Sequence, residues 1–95
     1  MLEFDNIRLE LESFEEPMEK LKDALHIDRV TDQISELEQR TAEPDFWNDA
    51  AKAQELTQKL GQLKKKVDNY NSLVSEREDL LALCELANEE EDRDY

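Results

Sequence analysis

Pro44-Asp45-Phe46-Trp47-Asn48-Asp49 separates two strongly periodic stretches and holds the only Trp and one of the two Pro residues of the chain. Proline disfavours helical geometry in the residue before it, so a helix arriving from the N-terminal side should stop near Thr41 to Glu43. Asn48 or Asp49 can then cap the start of the next helix through a side-chain oxygen. A stop and a start with two large aromatics between them predict a structural corner made of Pro44, Phe46, Trp47, Asn48 and Asp49. Phe46 and Trp47 could serve as an exposed binding tip, but aromatics at such corners usually plug the end of a bundle, which is the expected role here. On that reading Trp47→Ala would cost about 3–5 kcal/mol.

Beyond the corner Ala53, Leu56, Leu60, Leu63, Val67, Tyr70 and Val74 recur in steps of three and four, the spacing of one helical stripe. If this helix reaches Asn88 it has about 40 residues and a length of roughly 60 Å at 1.5 Å per residue. Gly61 is its only breaker and costs about 1 kcal/mol relative to Ala, with close approach of another helix, or else a functional bend, as the expected compensation. Farther on, Leu80, Leu81, Leu83, Cys84, Leu86 and Ala87 cover more of the circumference than one partner seam can bury, so something further should pack there. Glu89-Glu90-Glu91-Asp92-Arg93-Asp94-Tyr95 reads as a linker leading to another helix.

Before the corner Ile27, Val30, Ile34, Leu37 and Thr41 keep the same spacing, after a turn at His26 to Asp28 where Asp28 is a suitable N-cap. Phe4, Ile7, Leu11, Phe14, Met18, Leu21 and Leu25 form a third stripe, expected to be one helix. Pro17 predicts a kink or a restart within it, and Ser13 with Glu16 could form a capping box for the restart. Glu16 with Lys20, Glu36 with Arg40 and Glu55 with Lys59 are spaced for ion pairs worth about 0.2–0.5 kcal/mol each. The expected fold is therefore all-α: one domain over residues 1–95, an antiparallel, coiled-coil-like bundle of about three long helices.

Twenty-six acidic against twelve basic residues give a net charge of -14, which repels phosphate backbones and argues against strong nucleic-acid binding by the domain alone. Basic protein surfaces are the expected partners. Lys64, Lys65 and Lys66 form the only basic cluster, read as a solvated face or as a local contact patch for RNA or an acidic protein. No apolar run approaches the ~20 residues that cross a bilayer, and the start lacks the pattern of a secretory signal. With a lone Cys84, the expected setting is cytoplasmic and reducing. There is no Cys/His cluster, glycine-rich phosphate loop or nucleophile elbow, so no catalytic, metal or cofactor residue is assigned. His26 reads as a solvent-facing turn residue and Cys84 as a small core residue.

The order of these features resembles the N-terminal domain of the bacterial peptide chain release factor 2 family. It is carried by Leu25-His26-Ile27-Asp28, the Pro44 to Asp49 corner, Ala53-Gln54 just inside the next helix and Leu83-Cys84-Glu85-Leu86-Ala87 before an acidic run. The resemblance implies a cytoplasmic, non-catalytic helical domain of a factor that ends translation at UGA and UAA codons. It also implies docking at the ribosomal stalk base and an influence on the companion GTPase release factor. The family's Ser-Pro-Phe and Gly-Gly-Gln tripeptides, which read the codon and promote release, do not occur here, so no functional residue carries over from them. Many relatives read Leu-Asp at an internal frameshift site where this chain has Leu25-His26. The competing reading is a free-standing acidic coiled-coil adaptor that oligomerises, and weak self-association through the broad leucine surface is expected on either reading.

Overall fold

The computed structural model describes residues 2–93, and among them every regular element is helical: α1 (Leu2–Glu12), α2 (Glu15–Leu25), α3 (Ile27–Thr41), a short 3-10 turn (Phe46–Asn48) and α4 (Ala50–Arg93). The chain divides into two compact units, Met1–Ala24 with Asn71–Tyr95, and Leu25–Tyr70. We call these the terminal unit and the central unit.

The central unit is a helical hairpin of α3 and the first part of α4. Ile27, Val30 and Leu37 are buried on α3, and Ala53 and Tyr70 on α4, with Leu56, Leu60, Leu63 and Val67 half-buried between them. These are the positions the three-four spacing selects. Burial of one stripe per helix is what holds a two-helix hairpin, because its exposed ion pairs contribute little. Lys64 Nζ lies 2.8 Å from Glu38 Oε1 across the hairpin, with both side chains about half exposed.

The turn into α3 differs from expectation. His26, not Asp28, occupies the N-cap, with φ 54 and ψ 45 and no side-chain capping bond. Its carbonyl accepts the Val30 N–H at 2.9 Å, which places Asp28 inside the first turn, where a carboxylate favours the positive end of the helix dipole. A left-handed residue is needed to turn the backbone there, and His tolerates it better than a β-branched side chain would.

In the terminal unit the first stripe is divided between two helices. The interruption falls at Ser13 and Phe14, so the expected single helix becomes α1 and α2, and Pro17 takes the third position of α2. There its missing N–H is one that no helix satisfies internally, and the α2 ladder starts one residue later with Met18 N–H to Phe14 O at 2.9 Å. The steric demand of the proline ring on the carbonyl four residues back is met by ending α1 just before that point. Ser13 does not form the expected capping box: its hydroxyl donates backward to Glu10 O. The phase change also leaves Ile7, Phe14 and Leu21 substantially exposed, although one uninterrupted helix would have aligned them with Phe4, Leu11 and Met18.

The rest of α4 packs antiparallel to α1, since Arg77 Nε donates to Leu11 O at 2.7 Å and Asn88 Nδ2 donates to Asp5 Oδ1 at 3.2 Å. The core face of α4 runs on through Val74, Arg77, Leu81, Cys84 and Asn88, with Cys84 buried as expected. α4 continues helically through the acidic run to Arg93, so the linker expected there is helix as far as the structure is described. Glutamate is a good helix former, and the three in a row, Glu89 to Glu91, extend the helix more readily than they end it. Asp94 and Tyr95 lie outside the described residues.

Gly61 is exposed, and a Cβ built on it meets nothing within 4 Å, which removes the expected close helix approach. Gly61→Ala should therefore stabilise the chain by about 0.5–1 kcal/mol, since it adds helix propensity without a clash. A denaturant midpoint that falls in the Ala variant would show that the glycine serves a contact after all.

Candidate functional site

The corner in the central unit is built by a sequence of backbone substitutions for the helical ladder. Ala42 and Glu43 N–H close i→i+3 bonds to Gln39 and Arg40 O, Pro44 has no N–H to offer, and Phe46 and Asn48 N–H then bond Glu43 and Asp45 O at 3.1 and 3.0 Å. Asp49, extended at φ -103 and ψ 94, ends the turn, and its Oδ1 accepts the Lys52 N–H at 3.1 Å. Of the two cap candidates, Asp49 is the one that starts α4, a role worth about 1 kcal/mol.

This corner presents its aromatics unequally. Phe46 is half-buried and lines a recess of about 220 Å³ with Arg40, Glu43, Asp45, Asp49 and Lys52. Trp47 is 63% exposed and meets Phe46 edge-to-face, with ring centroids 5.0 Å apart and planes at 89°. Trp47 is therefore no plug, and the large stability loss expected on truncating it does not follow. The 3-10 turn directs consecutive side chains apart, so Phe46 can turn inward only while Trp47 turns outward. Pro44, Asn48 and Asp49 are exposed beside it.

The three lysines also part company. Lys64 is engaged by Glu38, Lys66 is half-buried, and Lys65 stands exposed. Only a part of the cluster is thus a free cationic surface, as three consecutive helical positions would require.

A second surface lies on the terminal unit, where Leu11, Phe14, Met18, Leu73 and Leu80 line an open groove of about 340 Å³ with Glu76 and Arg77 at its rim. Leu80, Leu83 and Leu86, exposed at 48%, 60% and 56%, extend the apolar surface round the helix beyond the groove, which matches the over-wide leucine surface read from the sequence. Single exposed leucines are ordinary, but a contiguous set beside a groove is a docking feature. The sequence reading did not single out Arg77. Its signal was present in the same three-four spacing, which steps from Val74 onto Arg77, Leu81, Cys84 and Asn88 and so places a guanidinium and an amide on the core face.

Among the described residues, no group of three or more His, Cys, Asp or Glu side chains is arranged to hold a metal ion, and no helix is long and apolar enough to cross a membrane. By fold the described residues form an all-α domain built on a helical hairpin. Residues 30–95 match the PCRF domain family, and the chain belongs to that family. It is similar to proteins named peptide chain release factor 2: that of Staphylococcus epidermidis is 33% identical over 93 residues, which is 98% of this chain and 25% of the relative. That of a Nitratiruptor species is 37% identical over 82 residues, 86% of this chain and 22% of the relative. The Petrotoga mobilis protein is 29% identical over 90 residues, 95% of this chain and 24% of the relative. The chain thus spans about a quarter of the length of the curated relatives it matches. No solved structure matches it.

Proposed function

We propose that this chain acts in translation termination as the ribosome-docking domain of a release factor of the release factor 2 type. The observation that carries the proposal is its membership of the PCRF domain family, joined to similarity over nearly its whole length to proteins named release factor 2. Its part is non-catalytic: it positions the factor on the ribosome, while other domains of the whole protein read UGA and UAA and promote peptidyl-tRNA hydrolysis. The partners we propose are the stalk-base proteins, with the companion GTPase release factor as a second contact, in a cytoplasmic setting. The exposed Trp47 and Lys65 of the central unit, with Pro44, Phe46, Asn48 and Asp49 shaping the corner and Lys64 and Lys66 flanking Lys65, are the contact residues this reading favours. An exposed Trp is the residue type that anchors interfaces.

The chain should co-sediment with vacant ribosomes at low salt and be displaced by an intact release factor 2. A chain that stays in the supernatant, or co-sediments without being displaced, would count against docking at the factor's site. A free-standing acidic adaptor draws support from the exposed leucines of the terminal unit alone, and family membership lends it none.

A further inference from the structure

Trp47 is the one large apolar side chain of the central unit that stands exposed; every other such residue among those described belongs to the terminal unit. It is also held in place. The 3-10 turn that carries it is closed by the Phe46 and Asn48 N–H groups on the Glu43 and Asp45 carbonyls, and the half-buried Phe46 ring braces the indole edge-to-face at 5.0 Å. An aromatic fixed in this way loses little freedom when it enters a partner, which lowers the cost of binding. Within the central unit the corner lies at the end opposite Leu25 and Tyr70, where the chain passes into the terminal unit. The 15 residues of α3 span the distance between, roughly 22 Å at 1.5 Å per residue.

We infer that Trp47 is the anchor by which the corner docks into an apolar pocket of a protein, rimmed by basic side chains, and that RNA is not its partner. The inference rests on the ribosome-docking reading and deepens it by naming which of the ribosome's two chemistries the corner meets. Shape alone does not choose, because an exposed indole fills apolar protein pockets and stacks on unpaired bases alike. Charge does. Glu43, Asp45 and Asp49, all exposed, line the recess beside Phe46, where Arg40 and Lys52 offset only two of the three. These carboxylates belong to the turn itself: the Glu43 and Asp45 carbonyls close it, and Asp49 caps α4 through the Lys52 N–H at 3.1 Å. No cationic residue stands between Arg40 and Lys52 in the sequence. A base stacked on the indole would bring phosphates close to this anionic rim, within the ~8 Å over which charges act at physiological salt. Lysine or arginine around a protein pocket would gain from the same rim.

The test uses the full 95-residue chain with 5-fluorotryptophan at its single Trp, so that one fluorine resonance reports on position 47. Vacant ribosomes and protein-free ribosomal RNA are the two probes. The resonance should shift and broaden with ribosomes and stay unchanged with the RNA. In co-sedimentation, Trp47→Ala should bind ribosomes at least about tenfold more weakly than the parent, a difference of about 1.4 kcal/mol, while keeping its helical circular dichroism. Trp47→Phe should recover a part of the affinity. Asp45→Lys, at a side chain that makes no capping bond, should also weaken binding, because it sets a positive charge against a basic rim. An equal response to the RNA alone, or tighter binding by Asp45→Lys, would overturn the inference. Ribosomes that bind the parent and Trp47→Ala alike would overturn it while leaving the docking reading intact. Ribosomes that bind neither would remove both.

Discussion

Leu37→Ala is expected to lower the unfolding free energy by about 2–4 kcal/mol, within the range for truncating a buried leucine. Leu37 is 8% exposed on the α3 stripe, so truncating it removes buried apolar surface from the core of the hairpin. Trp47→Ala removes a far larger side chain, yet it should cost about 0.5 kcal/mol or less, because an exposed group loses little on truncation. Chemical denaturation followed by far-ultraviolet circular dichroism measures both. Tryptophan fluorescence would be a poor signal here, since the exposed indole changes little on unfolding. If Trp47→Ala proved the more damaging of the two, the corner would have to be a plug and the hairpin seam something less than the hairpin's core.

Arg77→Met should cost about 1.5–3 kcal/mol, the range for a hydrogen bond to a charged group, with the stem's packing conserved. α1 has no basic residue in its own last turn, so its C-terminal carbonyls depend on donors from elsewhere. Ser13 N–H serves Leu9 O, the Ser13 hydroxyl serves Glu10 O, and Leu11 O receives both the Phe14 N–H at 3.3 Å and Arg77 Nε at 2.7 Å. The guanidinium thus brings a positive charge to the negative end of the α1 dipole, a favourable placement. Hydrogen exchange should show the loss concentrated at the last turn of α1. Arg77→Lys, which keeps the charge but not the directed Nε–H, should recover only a part of the stability. Full recovery with Lys would mean that the charge matters and the hydrogen bond does not.

How far the fold was legible in the sequence can be traced through particular residues. The hairpin of the central unit was legible because Ile27, Val30 and Leu37 before the corner, and Ala53 and Tyr70 after it, keep the three-four spacing of their own helices, and Pro44 fixes where the first run must stop. Position within the corner was less so: composition shows that Phe46 and Trp47 are both large and apolar, but only the path of the 3-10 turn decides which one faces inward. The first stripe misled for a related reason. Its seven apolar residues are spaced for a single helix, whereas the demand of Pro17 on the preceding turn breaks the helix at Ser13 and Phe14 and shifts the phase of everything before it. Gly61 misled by analogy with packed glycines, when its surroundings are solvent. The groove of the terminal unit was half legible, as surplus leucine between Leu80 and Ala87. Its other wall needs the α1–α2 break, which brings Phe14 and Met18 to the rim.

The proposed role of this chain as a working release-factor domain is tested most directly by an exchange experiment. The matching quarter of Staphylococcus epidermidis release factor 2 would be replaced by these residues, and peptide release measured on ribosomes programmed with UGA and with a sense codon. We predict release at UGA close to that of the parent factor and none at the sense codon. A folded chimera that binds ribosomes no better than the factor lacking the domain, and releases no peptide at UGA, would contradict the claim.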